Sequence, residues 1–190
     1  MHSGEDRTRV GGWARRCVKT KPDETSRTKG AWVRPVVSPD GRTVAFTGHA
    51  PTGRSHTVSD LFVIPLAAGG SADMRKITGD FDRDPINLRW APDNTGLYFD
   101  ADDHGTRNVQ FASIVGGVKP VTTVRQMLTF DSVSKDLIAA GTSADVDHPQ
   151  DVVRVNLKAP RQIVKLTDVN GDVLQGKQLA KIEEVNSTSS

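Results

Sequence analysis

From Ala31 onward the chain carries short apolar runs broken by compact polar turns, and the runs recur in a fixed order. Trp32-Val33 and Val36-Val37 lead into Ser38-Pro39-Asp40-Gly41, whose residue types are those of a tight turn. Arg42 to Thr47 then alternates as a half-buried strand does, with Val44 and Phe46 on one face. After the polar stretch Gly48 to Ser59, Asp60 to Leu66 predicts a further strand, ended by Ala68-Gly69-Gly70. Arg75-Lys76-Ile77-Thr78 is a short last piece.

The same order returns twice. Leu88-Arg89-Trp90 runs into Ala91-Pro92-Asp93-Asn94, followed by Gly96 to Asp100, a loop Asp102 to Thr106, the strand Asn108 to Ile114, Gly116-Gly117 and Pro120-Val121-Thr122. A more eroded copy runs from Leu128 to Ala140, continues through Asp151 to Leu157 and finishes with Val164 to Thr167. Equivalent positions lie 40 to 53 residues apart: Pro39 to Pro92, Trp90 to Phe130, Asp60 to Asn108 to Asp151, and Ile77 to Val121 to Leu166. A multi-strand repeat of that period with glycine punctuation is the period of a propeller blade. A single small sheet cannot bury both of its apolar faces, so blades stack.

The pattern therefore predicts an all-β partial β-propeller of about three antiparallel blades, approximately 29–80, 81–124 and 125–168, with an exit segment 169–185. Residues 1–28 show no sustained period of 2 or 3.6 and read as a disordered or foreign leader, and 186–190 as a polar tail. Three blades leave strand edges and apolar faces open. Remaining blades of a longer parent, or self-association through the open edges, are expected to complete the ring.

Composition narrows the function classes. Ten prolines and seventeen glycines fit a turn-rich chain, and 36% hydrophobic content fits half-buried strands. Charge is uneven: residues 1–34 hold nine basic and four acidic side chains, and the remainder sixteen and nineteen. No basic stripe interleaved with aromatics follows, so no nucleic-acid partner is expected. No apolar run reaches membrane-spanning length, so no membrane partner is expected either. The first thirty residues lack a secretory apolar core, which places the chain in the cytoplasm by default, a periplasmic or secreted parent remaining open if the N-terminus is truncated. A single cysteine, Cys17, provides no internal disulfide and has no partner residue nearby for nucleophilic work.

The segment Val37-Ser38-Pro39-Asp40-Gly41-Arg42 with Val44-Ala45-Phe46, echoed by Trp90-Ala91-Pro92-Asp93-Asn94, resembles the propeller repeats of the prolyl oligopeptidase-like serine peptidases, in their dipeptidyl aminopeptidase and acylaminoacyl-peptidase branch. TolB-like propellers share the motif. His148 to Val153 is similar to the segment opening the last outer strands of such propellers, and Val164 to Asn170 with Leu179 to Val185 to the exit from them. The resemblance implies a parent that hydrolyses peptides near the N-terminus, with Ser, Asp and His in an α/β-hydrolase domain that this sequence does not carry. The expected partners are that missing hydrolase domain and, in the parent only, a peptide substrate.

Candidate chemistry within the chain reads as structural. There is no Gly-x-Ser-x-Gly; Gly141-Thr142-Ser143-Ala144 is the nearest imitation and lacks the second glycine. His2, His49, His56, His104 and His148 read as exposed loop residues, with His49 and His56 able to line a central opening. Asp80, Asp82 and Asp84, and Asp100, Asp102 and Asp103, read as solvated carboxylates, lacking the turn glycine and terminal glutamate of a calcium loop. Glu183 and Glu184 would point to opposite faces of a strand. Gly69-Gly70 and Gly116-Gly117 read as turns, since no Gly-Lys-Ser/Thr follows. The expectation is a chain with no catalytic, cofactor-binding or metal-ligating residue, inactive alone and restricting peptide access in its parent; the alternative is a free-standing TolB-like or self-associating interaction module.

Overall fold

The alternation of Val44 and Phe46 with Ala45 and Thr47 is resolved as two faces of a strand: Ala45 and Thr47 are fully buried, and the other two are half-buried. The structure is a computed structural model and describes residues 30–52, 57–67 and 73–177. Residues 1–28 with His2 and Cys17, His56, Gly69-Gly70, Leu179 to Val185 with Glu183 and Glu184, and the 186–190 tail lie outside the described residues.

Twelve strands are described, in three sets of four. The first set is β1 Ala31–Val37, β2 Thr43–His49, β3 Asp60–Pro65 and β4 Arg75–Lys76, antiparallel in chain order. The second is β5 Ile86–Trp90, β6 Gly96–Asp103, β7 Thr106–Ser113 and β8 Val118–Pro120. The third is β9 Met127–Val133, β10 Ile138–Ala144, β11 Asp151–Asn156 and β12 Ile163–Lys165, followed by one helical turn, α1 Gly171–Leu174. A single parallel pair, Arg107 with Met127, joins β7 to β9, so the second and third sets are formally one eight-stranded sheet but fold as two blades. The first strands converge, β1 touching β5 and β5 touching β9, as they must if the blades fan around an axis.

The second blade uses one face for the first blade and the other for the third. Ala45, Leu61, Val63 and Ile77 of the first blade pack with Leu88, Trp90, Leu97, Phe99, Ala101 and Ala112 of the second. Across the next interface Val109, with half-buried Tyr98 and Val121, meets Leu128, Phe130, Ala139, Val153 and Val155. Leu97, Phe99 and Ala101 thus face one neighbour, while Tyr98 and Asp100 face the other, which is the period of two expected of a strand buried on both sides. Trp90 adds a polar link, its indole N–H donating to the Val36 carbonyl of the first blade at 3.1 Å.

The turns reproduce the repeat. Ser38 Oγ donates to Asp40 Oδ1 at 2.6 Å, and Asp40 Oδ1 accepts from the Arg42 N–H, while Asp93 Oδ1 accepts from the Thr95 N–H and hydroxyl. Gly41 and Asn94 take the positive φ these turns need, +69° and +60°; in the third blade Leu137 carries it at +64°. Every first strand also holds a bulge: the register shifts between Val33 and Val36, between Ile86 and Arg89, and opposite Ala140/Gly141 at Asp131.

Two expectations change here. Trp90 directly precedes its turn, and the residue doing so in the third blade is Val133, paired with Ala139 as Trp90 is with Leu97. Phe130 stands one bulge further back, opposite Gly141, so the offset from Trp90 to Phe130 joins residues that are not equivalent. The stretch Asp102 to Thr106 is also shorter as a loop than expected. Strands β6 and β7 run to Asp103 and from Thr106, joined by His104-Gly105 at φ +46° and +74°, the positive values of a two-residue hairpin turn.

Candidate functional site

Where the third strands begin, the same side-chain arrangement is built three times. The Thr78 hydroxyl donates to Asp60 Oδ1 at 2.8 Å, Thr122 to Asn108 Oδ1 at 3.0 Å, and Thr167 to Asp151 Oδ1 at 2.9 Å. Each threonine also accepts a backbone N–H from its third strand, from Leu61, Val109 and Val152 respectively. Two residues before each threonine stand Lys76, Pro120 and Lys165. The lysines pair with the aspartates, at 2.9 Å for Lys76–Asp60 and 2.8 Å for Lys165–Asp151. The hydrogen bond from Lys165, with the Val169 N–H, holds the Asp151 carboxyl at about 2, well below its ordinary value.

Beside the third of these lies a cleft of about 400 Å³, lined among others by Gln126, Ser143, Asp145, His148, Asp151 and Lys165. It brings Ser143 of the nearest nucleophile-like motif close to a histidine and two carboxylates. Their bonding is not that of a triad. The Ser143 hydroxyl donates to Gln126 Oε1 at 2.9 Å, and His148 Nδ1 is bonded to Asp147 at 2.7 Å. Ser143 sits within β10 rather than on a strand-to-helix elbow. Lys165 is shared between Asp151 and Asp168. The cleft offers fixed polar surface, with no hydroxyl held by a base.

A second depression, of about 520 Å³, lies at the turn end where the first strands converge, lined by Pro39, Trp90, Pro92, Asp93, Val133 and Lys135. All three blades contribute to its wall. Nothing in the sequence marks it, because its residues come from three turns more than forty residues apart.

The remaining sequence candidates are placed as follows. His104 and His148 are exposed, and each is paired with its neighbouring aspartate. His49 is half-buried at the end of β2, with Nδ1 bonded to the Ala50 carbonyl, rather than in an exposed loop. Asp82 and Asp103 flank Arg83, Asp84 accepts from the Ser59 N–H, and Asp102 takes both Nε and a terminal nitrogen of Arg107. Among the described residues no group of three His, Cys, Asp or Glu side chains is arranged to hold a metal ion. Asp100 overturns the expectation of a solvated carboxylate. It is 1% exposed between the second and third blades, accepts from Asn87 Nδ2 at 2.9 Å, and burial pushes its carboxyl up to about 6. The sequence signal for it was its place in the alternation after Tyr98, on the side facing the third blade.

No family model matches the chain. Dipeptidyl-peptidase 5 of Porphyromonas gingivalis is 30% identical over 125 residues, which is 65% of this chain and 18% of that protein. Dipeptidyl-peptidase 5 of Trichophyton equinum is 34% identical over 86 residues, 45% of this chain and 11% of that protein. The match thus spans less than a fifth of the length of these relatives. Among solved structures, acylaminoacyl peptidase of Pyrococcus horikoshii superposes with a TM-score of 0.55 at 17% identity, over 73% of this chain and 20% of that one. The propeller domain of the Trilobed protease of Pyrococcus furiosus gives 0.54 at 17% identity, over 74% and 40%. TolB of Acinetobacter baumannii gives 0.53 at 20% identity, over 74% and 33%. The structural likenesses establish the propeller fold, and no helix among the described residues is long and apolar enough to cross a membrane. The sequence relatives are peptidases, and the chain is similar to the propeller portion of prolyl oligopeptidase-like serine peptidases.

Proposed function

We propose that the chain acts as part of a propeller that screens peptides on their way to a serine-hydrolase domain, and that by itself it cleaves none. The observation that carries this is the dipeptidyl-peptidase 5 relationship, which reaches 30% identity over 125 residues, whereas TolB shares the fold at 20%. The axial depression supports this reading as the place where screening would act: Trp90 and Val133 supply apolar wall, and Asp93 and Lys135 add charge of both signs to its lining. A peptide threading such an opening would be sorted by width and by end charge.

Inactivity is tested with the purified chain on dipeptidyl arylamides, acyl-amino-acid amides and a nitrophenyl ester. No turnover above a mock preparation is expected; turnover abolished by a serine-directed inhibitor would overturn the proposal. Screening is tested by replacing the matched stretch of the Porphyromonas gingivalis relative with the corresponding stretch of this chain. Trp90→Ala in that chimera is expected to change kcat/KM for long peptides relative to short ones, and an unchanged ratio in an active chimera would count against screening.

The alternative, a TolB-like interaction module, rests on the fold likeness alone. It predicts a specific protein partner for the chain and no peptide discrimination in the chimera.

A further inference from the structure

The cleft beside the third threonine clasp lies at the far end of β9 from the axial depression: Gln126 precedes the first residue of that strand, and Val133 is its last. Its volume is about 400 Å³, and peptide screening makes no use of it. Ser143 pairs with Asp151 and Gly141 with Val153, so one face of β10 and β11 carries the cleft. That face is the one the third blade turns to the second, since Val153 and Ile163 share a cluster with Val109, Val121 and Val124. Every described residue of the lining belongs to the third blade or to the linker entering it. Further blades of a longer chain would stack on the opposite face, that of Val152 and Arg154, and leave these walls as they are.

The floor is apolar and the walls carry unequal charge. Val153 is 2% exposed, Ile163 packs beside it, and Pro149 adds a third apolar residue. Lys165 stands 2.8 Å from both Asp151 and Asp168, so one cation faces two carboxylates. Asp145 adds another carboxylate, half-buried at the end of β10. Its Oδ1 accepts the Val146 N–H, and among the described residues no cation pairs with it. Arg125, next to Gln126, already has a partner, and His148 is taken by Asp147. An anion would meet an excess of negative charge here, and a neutral polar molecule would leave the Asp145 carboxylate uncompensated. A cation on an apolar body satisfies both surfaces, because a low-dielectric wall focuses the field of the carboxylates and the apolar part leaves water.

We propose that this cleft binds a primary ammonium carried on a short aliphatic chain, the ammonium pairing with Asp145 and the chain lying on Val153 and Ile163. A free aliphatic amine and the side chain of a lysine share that chemistry. The inference is independent of peptide screening, which uses the other end of the strands.

The test is a titration of the isotope-labelled full chain with pentylamine and with Nα-acetyl-lysine methylamide, followed by backbone amide shifts, with circular dichroism to confirm folding. Saturable shifts centred on Ser143, Asp145 and Val153 are expected, with a dissociation constant on the order of a millimolar. Saturation by pentylamine alone assigns the free amine, and saturation by both admits the lysine side chain. No saturation with either would overturn the site. Pentanol, equal in length but uncharged, should move these amides only weakly, and equal binding of pentanol would overturn the ammonium pairing. Asp145→Asn keeps the shape of the wall and its acceptor for the Val146 N–H, and should weaken amine binding about tenfold. Unchanged affinity in that variant would overturn the assignment. Salt supplies a second measurement on the parent chain: affinity should fall as ionic strength rises, and an affinity indifferent to salt would overturn the pairing even if Asp145→Asn failed to fold. Val115→Asp, 81% exposed in the turn between β7 and β8, should bind as the parent chain does.

Discussion

The Thr122 hydroxyl donates to Asn108 Oδ1 at 3.0 Å in the place where its two sister blades use a threonine and an aspartate held by lysine. The middle blade has neutralised the arrangement on both sides, Asn for Asp and Pro120 for Lys. Asn108 compensates with its amide, Nδ2 donating to the Val124 carbonyl at 2.9 Å while Oδ1 accepts the Val124 N–H at 2.8 Å. Asn108→Asp would turn that donor into a carboxylate oxygen beside a carbonyl, and should lower the denaturation midpoint. Pro120→Lys should restore part of the loss in the double variant, by supplying the cation that Lys165 gives Asp151. A double-mutant cycle showing strictly additive effects would refute this coupling.

Removing the clasp hydroxyl should cost more than removing a surface contact. Thr122 is 2% exposed, and its Oγ1 accepts the Val109 N–H at 2.9 Å, so Thr122→Val leaves a buried donor unpaired. The expected loss is about 1–3 kcal/mol in urea unfolding. A loss within a few tenths would mean that the backbone amide finds another acceptor.

Asp100 gives the chain a distinct pH signature. Its folded value, about 6, lies above the 3.8 of the unfolded chain, so the folded state binds the proton more tightly. The stability this contributes is fully present below pH 3.8 and is lost as pH rises through 6, amounting to about 3 kcal/mol for a shift of about two units. Asp151 works in the opposite direction: its depressed value contributes above 3.8 and is lost as pH falls towards 2. Asp100→Asn isolates the first effect. Relative to the parent chain it should gain stability between pH 4 and pH 7.5, and an unchanged difference across that range would refute the assignment.

The blade repeat was legible because its markers are local. Turn residues such as Ser38 to Gly41 and the Ile77, Val121 and Leu166 series keep their spacing, and in the structure that series occupies equivalent sites before the clasp threonines. The Trp90 to Phe130 offset failed because aromatic type was matched across a bulge, which shifts register without leaving a mark in composition. Asp100 is hard to read from sequence for a related reason. Its neighbours Asp102 and Asp103 are exposed partners of arginines, and only the alternation from Leu97 shows that it turns into an interface. The axial depression could not be read at all, since no periodicity announces which three turns will meet.

Gly141 shows how a motif can be conspicuous for a structural reason. In sequence it opens an imperfect nucleophile motif, but it lies opposite Phe130 at the third-blade bulge, where a Cβ would collide with the Thr129 carbonyl oxygen and with Phe130 Cα at 2.7 Å. Both obstacles are backbone, so neither can swing aside as a flexible side chain would. Gly141→Ala should therefore force β9 and β10 apart at the bulge and lower stability by about 1–3 kcal/mol, despite the higher strand propensity of alanine. Ser143→Ala, two residues along, removes only a half-buried hydroxyl bonded to Gln126 and should cost well under half as much. Thermal melts of the two variants decide between the readings: a larger loss for Ser143→Ala would mean that the strand tolerates a methyl at Gly141 and that the close approach of β9 is not what the glycine serves.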